Sequence, residues 1–250
     1  MPTIEENKHQ WSVYDWPEAG EEWSKAWGDV RFLWFATIFP RISKAIPAEH
    51  ILEIAPGYGR CTQYLLDHCS KLTIVDLTEK CIDECRKRFA DRGNISYHVN
   101  DGKSLSFVKD DSVDFVFSWD SLVHANDEVF RSYLAQLSKK LKPGGFGFFH
   151  HSNMAAYRDP ATGVVSKKSQ HWRDLTMSAA IFRSISQDYG IEVITQEIFE
   201  WEAGLFSDVF SFFRRPSGST NGEPRIVENR EFMKEVANLR FLADLYRTER

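Results

Sequence analysis

Acids and histidines recur where short apolar runs give way to polar residues. Glu53 lies inside Ile51-Leu-Glu-Ile54, Asp76 follows Leu72–Val75, Asp101 follows Ile95–Val99, and Asp120 follows Val113–Trp119. His124 comes just after Asp120, and His150 and His151 end a further apolar run. A carboxylate closing a strand can accept both hydroxyl protons of a ribose. An imidazole, whose pKa is ordinarily near neutrality, can take the proton from a reacting hydroxyl. His124 is the first candidate for that base, Asp120 for orienting it or the substrate, and His151 is the second candidate.

The elements that must position these groups follow from the apolar runs. Ile51, Leu52 and Ile54 read as a buried strand, Gly57 and Gly59 as a loop, and Tyr64, Leu65 and Leu66 as apolar positions of a helix. Strand, glycine turn and helix open a βαβ unit that holds a ligand at the carboxyl end of the strand. Thr62 stands where a dinucleotide fingerprint has its third glycine, which disfavours a nicotinamide cofactor. A helix over Glu79–Ala90, a strand over 95–99, a strand over Val113–Asp120 whose backbone opens at Ser118, and a helix over Asp127–Leu141 continue the alternation. Lys142-Pro-Gly-Gly145 then turns into a fifth strand, Phe146–His150.

Glu53, Gly57, Gly59 and Asp76, with the Asp-Phe-Val-Phe strand and Leu-Lys-Pro-Gly-Gly, resemble the class I S-adenosylmethionine-dependent methyltransferases over roughly residues 50–150. The resemblance implies an α/β, Rossmann-like, seven-stranded, mostly parallel sheet with an antiparallel last strand and helices on both faces. It implies S-adenosylmethionine as cofactor and S-adenosylhomocysteine as product. Glu53 would lie near the charged amino-acid end, Asp76 on the ribose, and Asp101 on the adenine amino group; an Asx turn at Asp101 is compatible with that role. Ala55, Arg60, Leu77, Asn100, Gly102 and Ser118 complete the expected cofactor site.

Residues 1–48 read as an aromatic helical lid, with Trp23, Trp27, Val30, Trp34 and Ile38 at helical spacing up to Pro40. Glu21, Glu22 and Trp23 are its likeliest ligand contacts, although most of the aromatic stripe suits core packing. The cofactor domain spans 49–215. A polar loop over Ala155–Trp172, a helix over Leu175–Tyr189 and strands over Glu192–Trp201 and Phe206–Arg214 complete it. Residues 216–250 read as a linker and an amphipathic helix bearing Phe232, Val236, Leu239, Leu242 and Leu245, which would pack on the domain, pair two copies, or lead into a neighbouring domain.

With 31 Lys and Arg against 36 Asp and Glu, the net charge is −5 and no basic face suggests a nucleic acid. No apolar run is long enough to span a bilayer, and polar Met1–Gln10 does not read as a signal peptide. Cys61, Cys69, Cys81 and Cys85 lack metal-binding spacing and suit reduced thiols in a cytoplasmic protein. No metal is expected. The alternative is Mg²⁺ on Asp120 and Asn153, but a His-His strand end is a poor partner for a hard cation.

Methyl transfer to a hydroxyl is the reaction expected. Trp119, Asn153, Tyr157, Trp172 and Arg173 are the candidate acceptor contacts. Glu53, Ala-Pro-Gly-Tyr-Gly-Arg60, Asn-Asp-Gly102, Ser-Leu-Val-His124 and Phe-His-His-Ser-Asn153 are similar to bacterial methyltransferases of cell-surface polysaccharides, which implies a sugar or glycan acceptor. An amine acceptor, and a non-catalytic cofactor-binding module, are the competing readings.

Overall fold

The computed structural model describes residues 3–218 and 222–247. Ser219–Asn221 of the expected linker and Thr248–Arg250 of the expected last helix lie outside the described residues. The first helix, α1 (Ile4–Val13), arises in the polar start of the expected lid, before the helical spacing of its aromatic stripe begins. A capping box explains it: Thr3 Oγ1 accepts from the Glu6 amide at 3.1 Å, and Glu6 Oε2 accepts from the Thr3 amide at 2.7 Å.

The expected single helix through the aromatic stripe is divided. A 3₁₀ segment, Glu21–Trp27, stops at Gly28, whose φ is +97° and where a Cβ would meet Ala243. Asp29 then caps a continuous helical run made of α2 (Val30–Phe32), a π-helical stretch Leu33–Ile38 and α3 (Phe39–Ile42). Pro40 therefore does not end the helix. The widened π stretch carries the chain past a residue with no N–H to donate, and Arg41 Nη1 donates to the Thr37 carbonyl at 2.7 Å.

The αβ core runs β1 (Ala48–Ile54), α4 (Thr62–Leu65), β2 (Cys69–Asp76), α5 (Glu79–Arg88), β3 (Ile95–Val99), β4 (Val113–Ser118), α6 (Asp127–Lys140), β5 (Leu141–Ser152), α7 (Ala179–Asp188), β6 (Glu192–Phe199) and β7 (Asp208–Arg214). Then come β8 (Arg225–Asn229) and α8 (Phe232–Leu245). The sheet order is β3-β2-β1-β4-β5-β7-β6-β8, with only β7 antiparallel to its neighbours β5 and β6. Strand β8 is an eighth member beyond the seven expected, paired parallel with β6 over Thr195–Phe199. It occupies the ground assigned to linker and helix start, because a five-residue edge strand takes its state from the partner beside it.

Both sheet faces are covered, so the central strands send apolar side chains to both sides. Trp34, Ile38, Phe115, Phe117, Phe148 and Phe210 form one core layer; Leu52, Val116, Phe130, Phe149, Phe182 and Phe213 form the other. Helix α8 packs on the domain through Phe232, Val236 and Ala243, whereas Leu242 and Leu245 of its expected apolar face are exposed.

Candidate active site

The parallel strands present their carboxyl ends along one edge, and a cavity of about 680 Å³ opens there. Its first half is built by the turns after β1, β2 and β3. Glu53, Ala55, Gly57, Arg60, Asp76, Leu77, Asn100 and Gly102, all named above as candidate cofactor residues, line it, and Trp23 joins from the N-terminal segment.

Glu53 is buried in the sheet and accepts a hydrogen bond from Thr62 Oγ1 at 2.6 Å. Thr62 thus supports the acid instead of merely departing from a glycine fingerprint. Burial pushes the Glu53 carboxyl up to about 8. Asp76 is raised to about 6 by burial, although amides of Thr78 and Gly57 donate to it at 2.9 and 3.3 Å. Oδ1 also accepts from Thr78 Oγ1 at 3.1 Å, so it is Oδ2, held by the Gly57 amide alone, that keeps a lone pair for a further donor.

The glycine loop holds this geometry against the lid. Gly57 has φ +57°, and a Cβ there would lie 2.9 Å from the Trp16 ring. Trp16 in turn stacks on Tyr58 with centroids 4.4 Å apart. Gly59 supports the turn without lining the cavity; a Cβ would strike Phe89 at 2.6 Å.

The second half is built by the turn after β4 and by residues 170–173. Asp120, at φ +55°, lies between Arg60 Nη2 (3.4 Å) and Arg173 Nη2 (3.8 Å). Arg173 also pairs with the buried Asp208 at 2.9 Å and lies 5.1 Å over the Trp201 ring. His150 is an internal support: its Nδ1 accepts from the Asp120 amide, so its Nε2 donates to Asp208 at 2.9 Å. Trp119, Trp172 and Arg173 line this half, and Trp119 Nε1 is a buried donor without a partner.

His124 lines the cavity between Trp11 and Trp172, with ring centroids 5.5 and 5.3 Å away. Its Nδ1 lies 2.8 Å from the Trp172 carbonyl oxygen, which can only accept, so Nδ1 carries the proton. Burial, reinforced by Arg173, lowers its pKa to about 4. At neutral pH the ring is therefore uncharged, with a lone pair on Nε2.

Besides Gly59, five expected positions lie outside the cavity. His151 points to the opposite side of the strand edge, stacked on Phe182 at 4.8 Å and bonded to Ser211 Oγ and the Ser152 carbonyl, both at 2.8 Å. A two-residue alternation sends neighbours on β5 to opposite faces, which removes His151 from the catalytic set. Asn153 spends Nδ2 on the Phe206 carbonyl and Oδ1 on the Ala179 amide. Tyr157 accepts from the Phe206 amide. Asp101 is exposed and folds back onto the amides of Lys103 and Ser104 in an Asx turn. Ser118 is wholly buried in the sheet.

Other lining residues were not expected from the sequence: Ile4, Asn7 and Trp11 from α1, Trp16, Tyr133, and Trp201. The Thr3–Glu6 capping signature could have placed α1, but not its position over the sheet edge. Glu21 is turned away, paired with Arg88 at 2.9 Å. Among the described residues no group of three or more His, Cys, Asp or Glu is placed to hold a metal ion.

Fold and cavity together define a Rossmann-like α/β core with a ligand-sized cavity at its strand ends, and comparison with known proteins gives methyltransferase relatives. Residues 51–145 match the family described as a methyltransferase domain. Ribosomal RNA small subunit methyltransferase A of Pseudomonas putida is 39% identical over 79 residues, covering 30% of each chain. Phosphoethanolamine N-methyltransferase 1 of Triticum aestivum is 30% identical over 138 residues, covering 48% of this chain and 28% of that one. The chain thus spans less than a third of the length of these curated relatives. A SAM-dependent methyltransferase structure from Leishmania major superposes with a TM-score of 0.62 at 12% identity, over 84% of this chain and 82% of that one, a likeness of fold. Residues 51–145 thus match a methyltransferase domain, carried within a Rossmann-like α/β fold.

Proposed function

We propose that the protein transfers a methyl group from S-adenosylmethionine to a hydroxyl of a small acceptor, a sugar or glycan unit being the class favoured. His124 carries the reading: a neutral imidazole with its donor nitrogen committed to Trp172, placed at a cavity beside a cofactor-type acid pair. The first half of the cavity suits the nucleoside, with Asp76 on the ribose, Gly57 allowing close approach and Glu53 near the amino-acid end. The bound cofactor supplies an activated methyl carbon. The chain must hold an acceptor hydroxyl in line with that carbon at about 3–3.5 Å and receive its proton on His124 Nε2. Trp119, Trp172 and Trp201 offer apolar faces to a sugar ring, while Trp119 Nε1 and Arg173 offer donors. The aromatic walls also exclude water.

An amine acceptor is the second reading. A His124 pKa near 4 makes a weak base, which an amine nucleophile does not need. The wheat relative carries N-methyltransferase in its name. The test is methyl transfer from isotopically labelled cofactor to hydroxyl and amine sugars, with the methylated atom located by mass spectrometry. His124→Ala is expected to reduce kcat on a hydroxyl acceptor by roughly 10²–10⁴ without changing S-adenosylhomocysteine affinity. Unchanged turnover on a confirmed hydroxyl acceptor would refute the base assignment.

A further inference from the structure

Asn7 lies one helical turn after Ile4, on the face of α1 that covers the cavity. Its amide orientation is fixed by chemistry. Nδ2 donates to the carbonyl oxygens of Thr3 and His124, each at 3.1 Å, and carbonyl oxygens only accept. Oδ1 must therefore point away from both. It is buried and has no partner, and a buried acceptor left unpaired carries an uncompensated desolvation cost.

The surroundings identify what would pair with it. Ile4 packs at the end of β3: a Cβ on Gly102 would sit 3.1 Å from Ile4 Cγ2 and 3.3 Å from Leu77 Cδ1. With a ribose on Asp76, the base of a nucleoside must extend into this end of the cavity. Asp101, to which the family resemblance gives the adenine amino group, is exposed and does not line it. We propose that Asn7 Oδ1 accepts a hydrogen bond from the exocyclic 6-amino group of the cofactor's adenine, a contact supplied by the lid helix and not by β3. This rests on the S-adenosylmethionine reading above. Because the same amide holds the His124 carbonyl, one side chain links nucleoside recognition to the turn that carries the base.

The test compares S-adenosylhomocysteine with S-inosylhomocysteine, in which the 6-amino donor is replaced by an acceptor oxygen. Calorimetry would be run on the full chain and on Asn7→Ala and Asn7→Asp. The intact protein is expected to prefer the adenine compound by about tenfold. Asn7→Ala should bring that ratio towards one. Asn7→Asp, which keeps an acceptor but loses the NH₂ tether, should weaken both ligands while retaining most of the ratio. The proposal is overturned if the intact protein does not discriminate, if Asn7→Ala keeps the original ratio, or if both variants lose the ratio together, since Asn7 would then be a tether only. Failure of the intact protein to bind either ligand would instead overturn the cofactor reading itself.

Discussion

Two histidines of similar sequence context have opposite fates. His124 and His151 each follow an apolar strand, and burial lowers both pKa values, to about 4 and about 3. Only His124 reaches the cavity. His151 has both ring nitrogens bonded within the interior and a phenylalanine face beneath it. Truncating it would leave a hole and take one partner each from the Ser152 carbonyl and from Ser211 Oγ, which keeps its bond from Gln196 Nε2. We expect His151→Ala to lower folding stability by about 2–4 kcal/mol. Turnover per folded molecule should be unchanged. Denaturant unfolding with parallel kinetics separates the two effects, and a selective loss of kcat would return His151 to the catalytic machinery.

At the scale of elements, the N-terminal segment and the glycine loop depend on one another. Trp16 occupies the space that a Gly57 side chain would need, and Trp16 itself has φ +50°. Gly57→Ala must both adopt a left-handed conformation and displace the indole, which costs about 1–2 kcal/mol for the backbone alone. The expected outcome is a lower melting temperature and about a tenfold loss of S-adenosylhomocysteine affinity, seen by calorimetry. Gly93→Ala is the control, since nothing lies within 4 Å of an added Cβ there. Ala55, Asp120 and Trp172 also hold positive φ without being glycine. Backbone strain of this kind is costly and here borders the cavity on three sides.

For the whole molecule, the buried acid in β1 is a stability cost at the pH where the cofactor would use it. The Glu53 pKa is raised from 4.5 to about 8, so the unfolded chain ionises first as pH rises. Its contribution is complete below about 4.5 and is lost progressively up to about 8. Glu53→Gln has no proton to lose and retains a hydrogen-bonding partner for Thr62. Its stability relative to the unaltered protein should therefore rise from pH 5 to pH 8, by on the order of 3 kcal/mol at the alkaline end, and the difference in melting temperature should widen with it. Parallel melts across that range test it; a constant difference would mean that Glu53 is already ionised when folded. His124 acts with the opposite sign: its neutral form is fully favoured above 6.5, and stability is lost as pH falls from 6.5 towards 4.

The alternating βα core and the acids at its strand ends were legible because they are local. Apolar runs, glycine turns and terminal carboxylates sit within a few residues of one another, and a parallel sheet with two buried faces leaves few arrangements for them. The eighth strand, the divided lid helix and the position of α1 were not legible. β8 exists by pairing with β6, Gly28 is shaped by its contact with α8, and α1 carries a readable cap but no signal for where it docks. The same limit governed the side chains: sequence spacing put His124, His151 and Asn153 near one edge, whereas strand alternation and partners 20 to 60 residues away decided which of them faces the cavity. Residue types and spacing determined which chemistry the chain can attempt. Tertiary packing decided which side chains carry it, because facing a cavity or a core depends on contacts between segments remote in sequence.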